Sequence, residues 1–165
     1  SKLIGPSSME SISFYLAGYL LMTMLCFLVL TIVSAATNGE SIDDLKGLGA
    51  RSPLLAFAML VGIASLAGIP LTVGFFGKFF LFNIAIQYAV FSGSWYVVSF
   101  AVLGVAARFY YYFKIIRAMY WGGSDQDSDE LTLEINPLSK TVIIVLLTGV
   151  ILCGVFPSLI LGLLQ

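Results

Sequence analysis

The stretch GIPLTVGFFGKFFLF, residues 68–82, sets a proline and a lysine inside an otherwise apolar tract that runs over 53–91. Pro70 removes a backbone donor and its ring clashes with the preceding helical turn. It also disfavours the helical conformation at Ile69. Gly68 and Gly74 add backbone freedom on either side. A helix through this tract is therefore expected to break near 68–71, leaving halves over about 54–67 and 72–90. Lys78 then lies in the second turn of the second half. A charged lysine facing lipid costs several kcal/mol, so it must be paired, hydrated or used.

The rest of the chain supports a membrane setting for that lysine. Of its 165 residues, 59% are hydrophobic and 10% are charged, against about 25% charged in an ordinary soluble domain. The mean hydropathy is +1.01. Residues 15–38, 53–77 and 79–107 carry no charge at all, and runs of this length read as membrane spans. The expected fold class is an all-α integral membrane protein, one transmembrane domain over 1–165. Four transmembrane helices are expected, over about 12–36, 54–90, 94–120 and 137–164, the second discontinuous.

Charge placement decides whether the 54–90 tract is two spans or one broken span. With one broken span, Lys46, Arg51, Lys114, Arg117 and Lys140 all lie on one side; with two, they divide. The positive-inside rule favours the first arrangement. Broken backbone at membrane depth is tolerated where it is buried in protein or lines a hydrated cavity. The break at Gly68, Pro70, Thr72 and Gly74 is thus a candidate functional site. Thr72 and Ser65 are candidates to bond backbone groups left open there. Gly18, with Ala17, allows close approach by another helix.

Lys78 is the first candidate for chemistry, a group that takes up or releases a proton as its partner or hydration changes. Snorkelling to the interface is the plainer alternative, and the distance from the end of its half-helix speaks against it. Arg108 sits near the middle of the 94–120 span. It holds its proton under nearly all conditions, so it suits electrostatic tuning or structural pairing rather than relay. Lys114 either anchors the interface or ends a hydrated path from Lys78. Tyr110, Tyr111 and Tyr112 cover most sides of one turn, so at least one must face protein or water. The expected spans hold no carboxylate. An intramembrane partner for Lys78 is therefore expected from another chain or from sequence beyond these residues.

Several classes are excluded. A net charge of -1 without a basic patch gives no nucleic-acid partner. The absence of histidine, with Cys26 and Cys153 in separate apolar tracts, argues against a zinc or haem site and favours the cysteines as small core residues. No phosphate-binding loop, nucleophile–base pair or iron–sulfur spacing is present. The start at Ser1, without an initiator methionine, points to processing or to a longer chain.

The run RSPLLAFAMLVGIASLAGIPLTVGFFGKFFLF, residues 51–82, closely resembles the signature of antiporter-like membrane subunits of respiratory complex I. FYYYFKIIRAMY, residues 109–120, and FYLAGYLLMTM, residues 14–24, make the chain most similar to the NADH-quinone oxidoreductase subunit N (chain 2) family. The resemblance covers nearly the whole chain but only the C-terminal part of a fourteen-helix subunit. It implies a partial antiporter-like fold, with the expected spans matching the last four helices. It implies that Lys78 is the lysine of the second discontinuous helix, a protonatable station on a hydrated axis coupled to quinone reduction elsewhere. Lys114 matches the basic residue after the tyrosine run. Arg108 departs from the pattern, where a small residue is usual.

The resemblance implies no cofactor in this chain, with NADH, FMN, iron–sulfur clusters and quinone in other subunits. It implies neighbouring antiporter-like subunits, a chain supplying the missing N-terminal helices, and lipids as partners. The location it implies is the mitochondrial inner membrane or the bacterial cytoplasmic membrane. Two alternatives stand beside it: a subunit of a multi-subunit sodium/proton antiporter, and a structural piece without its own proton pathway.

Overall fold

A computed structural model of the chain describes residues 8–70, 72–93, 95–121 and 135–156. Their regular structure is helical: α1 (Ser8–Thr37), a 3-10 turn (Ile42–Leu45), α2 (Leu48–Arg51), α3 (Pro53–Ala67), α4 (Val73–Ser92), α5 (Trp95–Trp121) and α6 (Pro137–Val155). Local chemistry sets most of these limits. Ser41 and Asp44 form a reciprocal capping box over the 3-10 turn, with Asp43 N donating to Ser41 Oγ at 3.1 Å and Ser41 N to Asp44 at 2.7 Å. Pro53 and Pro137 occupy first-turn positions, where a missing amide costs nothing. The Asn136 side chain caps α6 by accepting from Leu138 N at 3.1 Å. Pro157 and the acidic run 124–130 lie outside the described residues, as does the stretch 157–164 of the last expected span.

The expectation of four transmembrane helices is not met. Among the described residues, three helices are long and apolar enough to cross a membrane: Ile12–Thr37, Val73–Val90 and Pro137–Val155. They make the chain a multi-pass integral membrane protein. The helix over the expected 94–120 span is long enough, but Arg108, Lys114, Arg117 and the tyrosines dilute its apolar character. In the broken tract, α3 has 15 residues. That gives a rise of about 22 Å, short of the roughly 30 Å hydrocarbon layer. The second half alone reaches crossing length, because the break falls early in the tract.

Helix α1 packs on α3, α4 and α6, and α3 also meets α5 and α6. On α1 the buried residues Phe14, Gly18, Met22, Leu25, Cys26, Val29 and Val33 recur every three or four positions. They form one stripe facing the bundle. The rest of α1 is equally apolar, with Leu16, Leu20 and Phe27 exposed, as a lipid-facing surface requires. Lipid tails solvate Leu as well as protein does, so close packing rather than water exclusion holds such helices together. Glycines supply that closeness. A Cβ on Gly18 would fall 2.6 Å from Val73 Cγ2, and one on Gly62 would fall 2.5 Å from Cys26 Sγ. A Cβ on Gly74 would overlap the carbonyl oxygen of Ser65.

Two threonine hydroxyls on outward faces are satisfied by their own helix. Thr31 donates to Phe27 O at 2.8 Å and Thr141 to Pro137 O at 3.0 Å, so neither presents an open donor to lipid.

Gly47, at φ 67°, donates its amide to Ala118 O at 3.3 Å and ties the start of α2 to the last turns of α5. Arg51 and Lys140 line one cavity. Lys46, Arg51, Lys114, Arg117 and Lys140 therefore gather at one end of the bundle. There Lys46 Nζ lies 2.7 Å from Asp43 Oδ1. That hydrogen bond first, and the Lys46 charge second, hold the Asp43 carboxyl below its ordinary value.

Two outcomes are expected from this packing. Gly74→Ala should lower thermal stability of the purified full-length protein by about 1–3 kcal/mol, the usual cost of overpacking. Gly149→Ala, where a Cβ meets nothing within 4 Å, should not. The depressed Asp43 contributes its small, solvent-screened stabilisation above the ordinary carboxylate range and loses it as pH falls through its lowered value. In Lys46→Met, a carboxyl-detected NMR titration should show Asp43 returning upward toward its ordinary value.

Candidate functional site

Helix α3 ends at Ala67 and α4 resumes at Val73. Gly68 takes the left-handed conformation, φ 85° and ψ 41°, and its amide is shared between Ala64 O and Ser65 O at 3.0 Å each. Ile69 N also returns to Ala64 O at 3.0 Å. In a continuous helix the Leu66 carbonyl would accept from the amide of residue 70. Residue 70 is proline and has none. The Lys78 ammonium takes that place and donates to Leu66 O. Glycine at 68 is favoured by its positive φ, and a Cβ there would come within 3.2 Å of Lys78 Cδ and Nζ, so the lysine would have to shift.

The far side of the break is closed by Thr72. Its hydroxyl donates to Ile69 O at 2.7 Å and accepts from Phe75 N at 3.4 Å, so one side chain bonds both the end of the loop and the first turn of α4. Ser65 plays no such part. It is fully buried and its hydroxyl has no partner among the described residues.

Lys78 is half-buried and faces a cavity of about 300 Å³, lined also by Tyr15, Tyr19 and Met22 of α1, Leu66 of α3, and Arg108 and Tyr112 of α5. Two of the three sequence candidates meet here, Lys78 and Arg108. The third, Lys114, is exposed, lies outside this lining, and acts on the charge of Asp43 at the basic end. Among the consecutive tyrosines, Tyr112 turns inward, while Tyr110 and Tyr111 are 72% and 64% exposed. Tyr15 and Tyr19, with ring centroids 6.0 Å apart, were not anticipated. Their four-residue spacing beside Gly18 was the available signal, since it puts both rings on the face that reaches α4.

The lining holds two cationic side chains, three phenols and no carboxylate. It can hold water against a lysine, a side chain able to lose its proton, beside an arginine that keeps its own. Among the described residues, no group of His, Cys, Asp and Glu is placed to hold a metal ion. Cys26 and Cys153 are free thiols, the first buried and the second half-buried.

Comparison with known proteins places this geometry in context. A family model described as NADH:quinone oxidoreductase/Mrp antiporter, TM, matches residues 3–107. The chain is 35% identical over 158 residues to the NADH-quinone oxidoreductase subunit N of Cytophaga hutchinsonii, covering 94% of this chain and 32% of that protein. It is 35% identical over 161 residues to the subunit of the same name in Brevibacillus brevis, covering 95% and 30%. Among solved structures, it matches a chain of respiratory complex I from Thermus thermophilus with bound aureothin. The TM-score is 0.74 at 27% identity, over 94% of this chain and 34% of that one. It also shares the fold of a chain of the archaeal membrane-bound sulfane sulfur reductase, with a TM-score of 0.80 at 21% identity, over 94% and 30%. The chain thus spans about a third of the length of the curated relatives it matches. With a matched segment that includes the break, Lys78 and the first half of α5, the chain belongs to the NADH:quinone oxidoreductase/Mrp antiporter transmembrane family.

Proposed function

We propose that this chain forms part of the proton pathway in the membrane arm of a respiratory complex I, with Lys78 as a station that takes up and releases a proton. The observation that carries this reading is the seat of Lys78. Its ammonium is bonded to the one carbonyl that Pro70 leaves open, inside a cavity shared with Arg108, Tyr15, Tyr19 and Tyr112. An ammonium has three donors, so with one on Leu66 O the others face the cavity. Loss of the proton removes the charge from this hydrogen bond and weakens it, so that water or a phenol can compete for the carbonyl. The break thus couples the proton to the local hydrogen bonding of the backbone.

Arg108 keeps its charge throughout and sets the electrostatic background of the exchange. Lys114, on the same helix as Arg108 and nearer the basic end, is proposed to lie along the exit of the path. The counter-carboxylate comes from a neighbouring membrane subunit or from helices equivalent to the rest of the relatives' length. NADH, FMN, the iron–sulfur clusters and quinone belong to other subunits, and the membrane is an energy-transducing inner one. The match to subunit N proteins and to a complex I chain supports this assignment.

The test is proton pumping coupled to quinone reduction in the assembled complex, reconstituted in vesicles. Lys78→Met should lower the protons moved per electron while assembly is retained. Lys78→Arg should fail to restore it, because arginine keeps its proton. Full pumping in Lys78→Met would exclude the relay, and full pumping in Lys78→Arg would reduce Lys78 to a fixed charge.

A further inference from the structure

Helix α4 has a second face, turned away from the Lys78 cavity. Gly74 and Ala89 are buried on the bundle side, and helical spacing puts Lys78 on that same face. On the outer side Phe79, Asn83, Ile86, Gln87 and Val90 are exposed. Their successive spacings of four, three, one and three residues make one continuous stripe. Asn83 and Gln87 both lie within Val73–Val90, the part of the helix long and apolar enough to cross a membrane. At a rise of about 1.5 Å per residue, Asn83 stands about 15 Å along that part, near its middle.

Two carboxamides are out of place against lipid. Gln87 Nε2 donates to Asn83 Oδ1 at 2.5 Å, with the pair exposed. Together the two side chains carry four N–H donors and two carbonyl oxygens, and the bond between them uses one donor. The outward hydroxyls of Thr31, Ser99 and Thr141 each donate to a carbonyl of their own helix. A hydroxyl has one proton to place in that way; a carboxamide has two, and a carbonyl besides. An unmet polar group in hydrocarbon is costly. The same group between two helices bonds across the contact and helps to hold them together.

We infer that the outer face of α4 is a helix–helix interface, occupied by a transmembrane helix of another membrane chain that carries an asparagine or glutamine at the depth of Asn83. Hydrogen-bond matching selects the amide. The pair offers N–H donors from Asn83 beside the carbonyl oxygen of Gln87. A carboxylate can only accept and adds a charge at depth; a hydroxyl supplies a single donor. A carboxamide donates and accepts at one edge and stays neutral. Phe79, Ile86 and Val90 flank the amides and give the partner helix an apolar surface to pack on. The matched relatives are about three times as long as the segment this chain covers, so helices outside these residues are available to lie there. The inference rests on the proposed place of the chain in a membrane assembly, and not on proton exchange at Lys78.

The test uses the native assembly in its own membrane. Ile86, on the stripe between the two amides, is replaced by p-benzoylphenylalanine, and the adducts formed on illumination are mapped by mass spectrometry. The adduct should join Ile86 to a crossing segment of another chain, within one helical turn of an Asn or Gln. In a second arm, Asn83→Leu with Gln87→Leu should weaken retention of that same chain through a detergent series about three- to tenfold, the effect of losing one or two interhelical side-chain bonds. A face that met lipid would behave oppositely, since leucine suits hydrocarbon better than an amide does, and retention would hold or improve. Both positions are exposed, so the double variant leaves the packing of the bundle intact. Thr31→Val removes an outward hydroxyl already closed on its own helix and should change nothing. Adducts with lipid alone, with residues 157–165 of the same chain or with a second copy overturn the occupant. An adduct on a segment without Asn or Gln, retention unaffected by the double variant, or retention lowered equally by Thr31→Val overturns the amide contact. If wild type retains no other membrane chain, this inference falls together with the assembly it rests on; a retained assembly indifferent to the double variant removes this interface alone.

Discussion

Inside a membrane a helix must bond its own backbone, and at residue 70 this chain cannot. The amide that should close the last turn of α3 onto the Leu66 carbonyl does not exist. In water that carbonyl would be hydrated at little cost; in a bundle it needs a donor from elsewhere. Lys78 supplies the donor, and most of what is unusual here follows from that substitution. The lysine is tolerated at depth because a carbonyl and a cavity receive it. The break is tolerated because Lys78, Thr72 and the shared amide of Gly68 absorb the bonds it opens.

The surrounding helices act mainly by getting close. With lipid on the outside, no hydrophobic gain separates a packed Leu from an exposed one. Gly18, Gly62 and Gly74 let backbones and neighbouring side chains approach to distances that any Cβ would forbid. Gly74 brings α4 onto the last turns of α3, which seats Lys78 six residues past the break within reach of Leu66. Gly18 brings α1 against Val73, which carries Tyr15 and Tyr19 to the same cavity. A helix with Arg108, a tyrosine run and two further cations closes the other side. Its reduced apolarity, which keeps it from qualifying as a crossing helix, arises from the residues that make the cavity polar.

A great deal of this was legible in the residues. Pro70 with Gly68 marked the break because proline's geometry is local and needs no neighbour to act. Lys78 stood out because a charge in an apolar tract is costly wherever it folds. The count of crossing helices was misjudged, since a tract of sufficient length was taken for a span without weighing Arg108 and the tyrosines against its apolar residues. Ser65 was a candidate to bond at the break, yet its hydroxyl has no partner among the described residues. Where that hydroxyl points depends on how α3 rotates against α1 and α4.

By itself, then, the sequence determined the helical class, the place of the break and the residue that would be out of place beside it. Each of these follows from covalent constraint or from the cost of charge in lipid, which act at single positions. Tertiary structure alone decided that the Leu66 carbonyl would be the lysine's acceptor and that Arg108 would face the same space while Lys114 would not. It also decided which of three consecutive tyrosines turned inward, and that Arg51 and Lys140, far apart in the chain, would share a cavity. Those choices depend on helix rotation and crossing, which are set by close contacts between residues distant in sequence.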